Sequence, residues 1–413
     1  MNFLTIIRNN WKKSACAAAI SGYGIYSMKI HYEITNYMRQ LCNDVAFSGG
    51  IEDSVPKKVL VVMNPVANKK KAEKSFKKYC EPILHLAGYS VEMLRTSHIG
   101  HAKTFIEEMN NLPDAIVVAG GDGTTSEVVT GLMRRNSGNS CPIVLLPLGR
   151  TSQSASKYFQ HDVKNDVDYV KALSGSLMPL LKGNFKFESV IQYDVLDKEA
   201  SIDGPKNLKP IFGLNRFSWG LMKDIDAVKD KYWYFGILRH YAAAFFKSFS
   251  SSVNWNFETD YIYTPPCPGC SNCFVKSQAK SPSVFFLRNL VAPKTNTGRS
   301  ENEKTARNDS CTTKFEGRIE TNQLNIACNR NEENYSELES EFINSLQPGW
   351  DFVKNIPNIT KNAITPNLVL RSRTIQLYPI ADTSNIFYSI DGEEYDARPI
   401  KVSVVPNAIK VCC

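Results

Sequence analysis

The five residues Gly120-Gly121-Asp122-Gly123-Thr124 carry the clearest chemical signal of the sequence. They follow the apolar run Ala115–Ala119, which predicts a buried parallel strand. Glycines at the carboxyl end of such a strand let backbone N–H groups approach phosphate oxygens, and a following helix adds a favourable dipole. A carboxylate repels phosphate unless a cation lies between them, so Asp122 predicts bound Mg²⁺. The alternative is a glycine turn with Asp122 as a local cap.

The loop matches neither of the two common phosphate-binding fingerprints, because it lacks both Gly-Lys-Ser/Thr and the G-x-G-x-x-G spacing. Three other segments should converge on the same sheet edge: Asn64-Pro65, Thr96 and Pro147-Leu148-Gly149. The lysines at positions 69–71 could supply positive charge to a triphosphate. A solvated helix start explains each lysine equally well.

The elements around this loop predict an α/β domain. Strands are expected at Val59–Met63, Ser90–Arg95, Ala115–Ala119 and Pro142–Leu146. Helices are expected at Lys71–Ala87, at Ala102–Met109, and from the capping box Thr124-x-x-Glu127 to about Arg135. Alternation of strands and helices predicts a parallel, Rossmann-like sheet. We place this nucleotide domain at about residues 55–160.

The hydrophobic period changes to two after about Gly183, as in Phe185–Val195 and Ile400–Val405. This pattern predicts a C-terminal antiparallel β-sandwich domain over residues 161–413. Residues 265–345 show little apolar periodicity and are predicted to form an irregular insertion. The fold class is therefore α/β in the first domain and antiparallel β in the second.

Composition and charge exclude several classes of protein. The chain has 413 residues, of which 43% are hydrophobic and 22% charged, which fits neither wholesale disorder nor a multi-span membrane protein. The net charge is +8, and residues 1–78 account for it with 13 Lys+Arg and 5 Asp+Glu. Such a local excess favours a membrane surface and a nucleotide as partners, and no nucleic acid.

Residues 1–50 are predicted to be a basic, apolar leader for targeting or membrane contact. Residues 1–32 contain no Asp or Glu, and the uncharged run Ser14–Met28 lies between lysines. As a helix this run reaches ~22 Å, short of the ~30 Å hydrocarbon core of a bilayer. A mitochondrial import leader fits best, and a secretory signal or a plain surface helix are the alternatives.

The glycine loop, Asn64-Pro65, Pro147-Leu148-Gly149 and Asp391-Gly392-Glu393 together resemble the diacylglycerol kinase catalytic superfamily, which also contains sphingosine and ceramide kinases. The resemblance is stronger to its mitochondrial acylglycerol kinase family, in Trp11-Lys-Lys, Pro82–Leu86 and Tyr388–Tyr395. It implies an enzyme that uses ATP and Mg²⁺ to phosphorylate monoacylglycerol and diacylglycerol, giving lysophosphatidic and phosphatidic acid. It also implies a mitochondrial inner-membrane location on the intermembrane-space side.

The resemblance also implies roles for individual residues. ATP would contact Asn64, Thr96, Gly120, Gly121, Asp122, Gly123, Thr124, Glu127 and Arg239. The lipid substrate would contact Ser218, Trp219 and Asp226, and the catalytic acids would be Asp122, Asp226 and Glu393, with Asp122 holding Mg²⁺ through ATP. Two departures from the family pattern weaken any transfer of detailed metal or phosphate geometry to this chain. Ser152-Gln153 replaces an Asn-Asp pair of many bacterial members, and Trp233 replaces a basic residue that faces phosphate.

Three other functions stay open. The chain could be a sphingosine or ceramide kinase, or a soluble NAD kinase sharing the Gly-Gly-Asp-Gly loop, although the apolar leader argues against the latter. The resemblance also links the family to the inner-membrane machinery that imports carrier proteins, so carrier translocase subunits are possible partners.

Two weaker patterns remain. Cys267, Cys270 and Cys273 have a metal-like spacing, with Cys311 as a remote fourth ligand, and a thiol-rich loop is the favoured alternative. The aromatic residues of Tyr232–Phe235 and Phe245-Phe246 predict either a mouth for an acyl chain or a helix core.

Overall fold

The computed structural model describes residues 11–48, 56–135, 141–149, 153–159, 163, 165–196, 209–249, 256–267, 270, 308–331, 335–345, 350–360, 364–380 and 387–413. The chain forms two compact units. The N-terminal unit comprises Met1–Glu188 with Ile409–Cys413, and the C-terminal unit comprises Ser189–Ala408.

The N-terminal unit alternates helices and strands. Its elements are α1 (Trp11–Ser48), β1 (Lys57–Met63), α2 (Ala67–Lys70), α3 (Ala72–Tyr79), α4 (Glu81–Leu86), β2 (Tyr89–Arg95), α5 (His101–Glu108), β3 (Ala115–Ala119), α6 (Asp122–Arg134), β4 (Ile143–Leu145), α7 (Gln153–Tyr158), α8 (Asp166–Gly175) and α9 (Met178–Leu181). Leu173, Leu177 and Leu180 of the α8–α9 segment belong to its core. The boundary between the units therefore falls at residues 188–189, later in the chain than the 160–161 expected from the sequence.

The strands of this unit are parallel and follow the order β2-β1-β3-β4. Val59 of β1 pairs with Val91 on one side and with Ala115 on the other. Residues Val59–Met63 and all five residues of β3 are buried, because helices cover both faces of a parallel sheet. The predicted parallel α/β domain is confirmed.

The helices of this unit differ from the prediction at two points. The expected helix at Lys71–Ala87 is two helices, since Pro82 lies in the first turn of α4, where its missing N–H costs no hydrogen bond. Helix α6 begins at Asp122 with Gly121 as its N-cap residue, so the predicted capping box at Thr124 is wrong. Thr124 lies inside the helix and is buried.

Helix α1 has two different halves. Its 38 residues span about 57 Å, and its second half packs on the unit through Ile34 and Val45. Ile20 and Tyr23 in the first half are 67% and 74% exposed. Among the residues that the structure describes, no helix combines the length and the apolar character needed to span a bilayer.

The C-terminal unit is mostly β-structure. Its elements are β5 (Phe185–Val195, beginning in the N-terminal unit), β6 (Ile211–Gly213), β7 (Arg216–Gly220), α10 (Leu221–Val228), a 3₁₀ segment (Lys229–Leu238), α11 (Arg239–Ser248), β8 (Phe257–Thr264), a 3₁₀ turn (Asp309–Thr312), β9 (Phe315–Thr321), β10 (Gln323–Arg330), β11 (Ser336–Ile343), α12 (Trp350–Thr360), β12 (Leu368–Ser372), β13 (Thr374–Pro379), β14 (Phe387–Ile390), β15 (Glu393–Asp396) and β16 (Ile400–Cys412, ending in the N-terminal unit).

Two antiparallel layers enclose the core of this unit. One sheet has the order β12-β11-β10-β7-β14-β15, and the other layer contains β16-β13-β8-β9 with β5 and β6. Trp219 and Tyr388 from the first sheet share a core with Leu377 and Val402 from the second. Alternate residues of each strand point inward, as a period of two requires, and the predicted antiparallel sandwich is confirmed.

The structure differs from the expected irregular insertion at residues 265–345. Strands β9, β10 and β11 all lie within that range. Leu338 and Phe342 of β11 face the core, while Glu339 and Glu341 alternate with them on the outer side. Three glutamates within the strand, Glu337, Glu339 and Glu341, make it look merely polar and hide its apolar period. Residues 271–307 of the expected insertion lie outside the described residues.

Replacement of Gly131 by alanine should destabilise the N-terminal unit. A Cβ atom there would lie 2.8 Å from the Lys103 carbonyl oxygen and 2.9 Å from Ile106 Cβ, where α5 and α6 pack closely. We expect Gly131→Ala to lower the free energy of unfolding by about 1–3 kcal/mol in urea titrations. The control is Gly22→Ala in α1, where a Cβ meets no atom within 4 Å. Equal stability of the two variants would contradict the close packing.

Candidate active site

The ends of the parallel strands bring the predicted phosphate-binding segments together. Met63 at the end of β1 pairs with Arg95 and with Ala119, so the residues after these strands emerge at one edge. The Asn64 amide donates to the Ala119 carbonyl oxygen at 3.1 Å, and the Thr96 amide donates to the Met63 carbonyl oxygen at 2.9 Å. Asn64 therefore lies beside the glycine loop, and Thr96 lies one strand further along the same edge.

The glycine loop connects β3 directly to α6. A Cβ atom on Gly120 would lie 2.6 Å from Thr124 Oγ1, so only glycine fits without a shift of the helix. Gly121 faces the Gly149 Cα atom, 3.7 Å from the place a Cβ would take. The first backbone N–H groups of α6 therefore lie at the strand ends, and the N-cap residue Gly121 has no side chain to cap them.

Asp122 is held by the segment that follows β4. Its carboxylate accepts hydrogen bonds from the Gln153 amide at 3.1 Å, the Ser154 amide at 2.8 Å and Ser154 Oγ at 2.7 Å. A carboxylate at these amides stabilises the start of α7. Asp122 therefore acts as a cap, which is the alternative that the sequence left open. The helix that it caps is α7, about thirty residues further along the chain. Mg²⁺ in kinases often takes one or two carboxylates plus waters and phosphates, and a single fixed carboxylate here fits that need.

Glu127 supports the loop after β2. Its carboxylate accepts from the Gly100 amide at 2.7 Å and from the Ala102 amide at 3.0 Å, at the start of α5. Gly100 has φ +88°, which a glycine adopts without strain. Glu127 therefore fixes the path of the loop that contains Thr96, a role that the residue spacing did not predict.

Asn64 and Thr124 form a polar contact inside the site. Asn64 Nδ2 donates to Thr124 Oγ1 at 3.3 Å, while Asn64 Oδ1 accepts from the Val66 amide at 3.0 Å. The Asn64 side chain thus ties the end of β1 to the first turns of α6. Asn64 is half-buried and lies at the strand edge, where the sequence predicted it.

The charges beside the first strand end are partly neutralised. Hydrogen bonds from Arg95 and then Lys77 lower the pKa of Glu73 to about 2, so this carboxylate is ionised and offsets Arg95. Lys70 and Lys71 are both exposed next to the same strand end. They are the lysines of the predicted run whose side chains are described.

The C-terminal unit holds Glu393 beside a buried anchor. Glu393 is half-buried and accepts a hydrogen bond from the Tyr395 hydroxyl at 3.2 Å. The preceding Asp391 is buried, and its carboxylate accepts from three backbone amides, Leu214 at 2.9 Å, Asn215 at 3.0 Å and Arg216 at 3.1 Å. Asp391 therefore ties the β14–β15 turn to the β6–β7 turn. Sequence reasoning had named Asp391 only as part of a motif.

The structure corrects the expectation for Trp219. Its ring is 2% exposed, stacks on Phe257 at 3.8 Å between ring centroids and contacts the edge of Tyr388 at 5.2 Å. Trp219 is a core residue of the sandwich, because neighbouring residues of β7 alternate between the two faces. Ser218, the residue before it, points out of the core.

A buried lysine links two elements that carry predicted catalytic acids. Lys223 of α10 lies 3.1 Å from a carboxylate oxygen of Asp224 and 3.1 Å from one of Glu394, and its side chain is 5% exposed. Its ammonium group also lies over the Phe387 ring at 5.2 Å. Lys223 therefore joins α10 to the β14–β15 hairpin, next to Glu393. Sequence reasoning missed it, since a single lysine in a short helix gives no signal.

Asp226 and Arg239 lie in the same unit on α10 and α11. Asp226 is in the last turns of α10, and its side chain is outside the described set. Arg239 is half-buried at the first position of α11.

An aromatic patch surrounds these helices. Tyr232 stacks on Phe246 at 5.1 Å, and Phe245 contacts the edge of Trp350 at 5.8 Å. Tyr234 and Phe235 are exposed beside them. Tyr232 also packs against the core of these helices, so the patch has a buried side and an exposed side.

Two family models match this chain. Residues 58–178 match the family model of the diacylglycerol kinase catalytic domain, and residues 212–413 match that of the acylglycerol kinase C-terminal region. Over its full length the chain is 28% identical to "Acylglycerol kinase, mitochondrial" of Homo sapiens and 27% identical to that of Mus musculus, covering 96% of each. It is 27% identical to sphingosine kinase 1 of Rattus norvegicus over 58% of this chain and 60% of that one.

Solved structures share the fold. A putative diacylglycerol kinase from Bacillus anthracis str. Sterne superposes with a TM-score of 0.51 at 15% sequence identity, over 86% of this chain and 97% of that one.

Loss of the Asp391 carboxylate should unfold the loops that it holds. Asp391→Ala leaves three backbone amides without their acceptor, and we expect the free energy of unfolding to fall by about 2–4 kcal/mol in urea titrations. The matched control is Asp396→Ala, which removes an exposed carboxylate of the same hairpin that pairs with Arg398. Equal stability of both variants would contradict the anchoring role.

Proposed function

The chain belongs to the diacylglycerol kinase superfamily of lipid kinases, and on this premise we propose that it transfers the γ-phosphoryl group of ATP to a hydroxyl group of monoacylglycerol or diacylglycerol. The products would be lysophosphatidic acid and phosphatidic acid. The observation that carries this proposal is the passage from β3 into α6, where Gly120 leaves no room for a side chain and Asp122 is fixed by the Ser154 segment.

In this proposal the N-terminal unit binds the nucleotide. The backbone N–H groups at the start of α6 bind phosphate oxygens, and the dipole of this 13-residue helix adds to the attraction. Lys70 and Lys71 add positive charge at the end of β1. Mg²⁺, when bound with ATP, neutralises phosphate charge and orients the transferred group. Asp122 is the residue that would hold it, at an orientation set by its bonds to the start of α7.

The C-terminal unit supplies the groups for the acceptor. Asp226 and Glu393 are the candidates for the carboxylate that accepts the proton of the attacking hydroxyl. Lys223 links α10, which contains Asp226, to the β14–β15 hairpin, which contains Glu393. Both carboxylates therefore lie on connected elements. Arg239 spreads the charge that develops on the phosphoryl group. The aromatic patch around Tyr232 and Phe246 would take the acyl chain or meet the membrane surface.

We place the protein in mitochondria, at the inner membrane and on its intermembrane-space side. The two full-length relatives carry "mitochondrial" in their names. The basic first half of α1, with Ile20 and Tyr23 exposed, suits an import leader or a contact with an anionic membrane surface.

Two variants test the kinase proposal. One removes the charge of Asp122, and the other removes a hydrogen bond that holds the Asp122 carboxylate in place. Asp122→Asn should lower monoacylglycerol phosphorylation by at least 100-fold, because the amide cannot neutralise a cation. Ser154→Ala removes one of the three donors to Asp122 and keeps the carboxylate, so we expect a loss of less than about 10-fold. The measurement is transfer of labelled phosphate from ATP in detergent micelles. If both variants lose activity equally, Asp122 has only a supporting role.

A second candidate function is a non-catalytic part in carrier protein import, which the exposed apolar half of α1 favours. The partners would be subunits of the inner-membrane carrier translocase. In cells that lack this chain, Asp122→Asn should restore carrier import as well as the native chain does. Restoration by the native chain alone would exclude a role independent of kinase activity.

A further inference from the structure

Three cysteines of the C-terminal unit form a cluster of buried sulfurs. Cys267, Cys270 and Cys311 have Sγ atoms that all lie within 4.8 Å of one another. The side chains are 7%, 4% and 5% exposed. Cys270 and Cys311 are 41 residues apart in sequence, and their Sγ atoms are 3.3 Å apart.

The surroundings of these sulfurs differ from those of an ordinary buried cysteine. Cys80 is buried among aliphatic and aromatic side chains of the main core, and burial raises the pKa of its thiol well above the usual range. The cluster of Cys267, Cys270 and Cys311 contains only sulfur-bearing residues among its buried members and lies apart from the sandwich core. Apolar packing therefore explains Cys80 and leaves the three-cysteine cluster unexplained.

The distances fit a shared metal ion better than a covalent bond between sulfurs. Tetrahedral zinc with Zn–S bonds of about 2.3 Å keeps its sulfur ligands about 3.8 Å apart. The Cys270–Cys311 separation of 3.3 Å lies below this value, and all three sulfur pairs lie within 4.8 Å. A disulfide needs about 2.05 Å, and none of these three cysteines is in a disulfide.

The position of the cluster gives a bound metal a structural role. Cys267 lies just after β8 and Cys311 just before β9, and these strands pair with each other from Phe257–Thr321 to Tyr263–Phe315. The cluster therefore lies where the two strands leave the sheet and closes the long connection between them. A crosslink at the base of a long loop lowers the entropy of the unfolded chain, which stabilises the fold.

Asn308 supplies polar contacts around the sulfurs. Its Nδ2 donates to Cys267 Sγ at 3.9 Å, and its carbonyl oxygen accepts from the Cys270 thiol at 3.8 Å, a bond that is lost when Cys270 gives up its proton to bind a metal as a thiolate. Its Oδ1 accepts from the Ser310 amide at 3.1 Å, which fixes the turn that carries Cys311. Hydrogen bonds to ligand sulfurs orient them and tune the metal, as outer-shell groups do in zinc sites.

We propose that Cys267, Cys270 and Cys311 bind a structural Zn²⁺ ion as thiolates. Thiolate sulfurs are soft ligands that select zinc over magnesium or calcium, and three cysteines with one further ligand are a composition of structural zinc sites. Cys273 continues the sequence spacing but lies outside the described residues, so the proposal rests on the three sulfurs alone. The ion would hold the β8–β9 connection and take no part in phosphoryl transfer.

The test is the metal content of the full-length protein, expressed in zinc-supplemented medium and purified with reductant. We expect about one zinc per chain by elemental mass spectrometry, and a fall to below about a tenth in Cys270→Ser and Cys311→Ser. Cys328→Ser is the matched control, since this half-buried cysteine lies on β10 of the same unit and outside the cluster. It should keep the zinc of the native chain.

A second measurement does not depend on the folding of any variant. After exchange of the native chain into Co²⁺, a tetrahedral thiolate site gives an intense sulfur-to-cobalt charge-transfer band and visible d–d bands. We expect both bands, and a lower melting temperature after removal of the metal by a chelator. A native chain that holds less than about a tenth of an equivalent of zinc and gives no charge-transfer band would overturn the proposal. A Cys270–Cys311 disulfide in that protein would overturn it as well.

Discussion

Strand β3 passes into helix α6 through Gly120, where a side chain would collide with Thr124. This contact brings the start of α6 to the strand edge shared with Asn64 and Thr96, and the rest of the site is built on it. Asp122 and Glu127, five residues apart on α6, then reach outward to two neighbouring segments. The helix thus organises the loops around its own N-terminus, where an anion is favoured.

Three acidic residues of the motifs, Asp122, Glu127 and Asp391, hold neighbouring backbone segments in place. Asp122 accepts from the start of α7, Glu127 from the start of α5, and Asp391 from the β6–β7 turn. A carboxylate held by several amides keeps one orientation, and pre-organised charge is what phosphoryl transfer requires of a protein. Loss of activity in a variant of these residues therefore needs a structural control before it is assigned to chemistry.

The parts of the molecule that the sequence predicts well are those with local signals. The run Ala115–Ala119 is buried along its whole length, as its composition indicates, and strand alternation fixes the parallel order. The partners of Asp122 and Asp391 lie about 30 and 175 residues away, so no spacing rule finds them. Trp219 was misplaced for a related reason: its position in a motif says nothing about which face of β7 it occupies.

The central claim is that this chain is a kinase for glycerolipids. Its most direct test offers the purified full-length protein labelled ATP and Mg²⁺ with monoacylglycerol, diacylglycerol, sphingosine and ceramide in separate mixed micelles. The account predicts labelled lysophosphatidic or phosphatidic acid from the two glycerolipids and much less product from the other two. Labelled product only from sphingosine or ceramide would contradict it, and so would transfer to none of the four lipids by a protein that binds ATP.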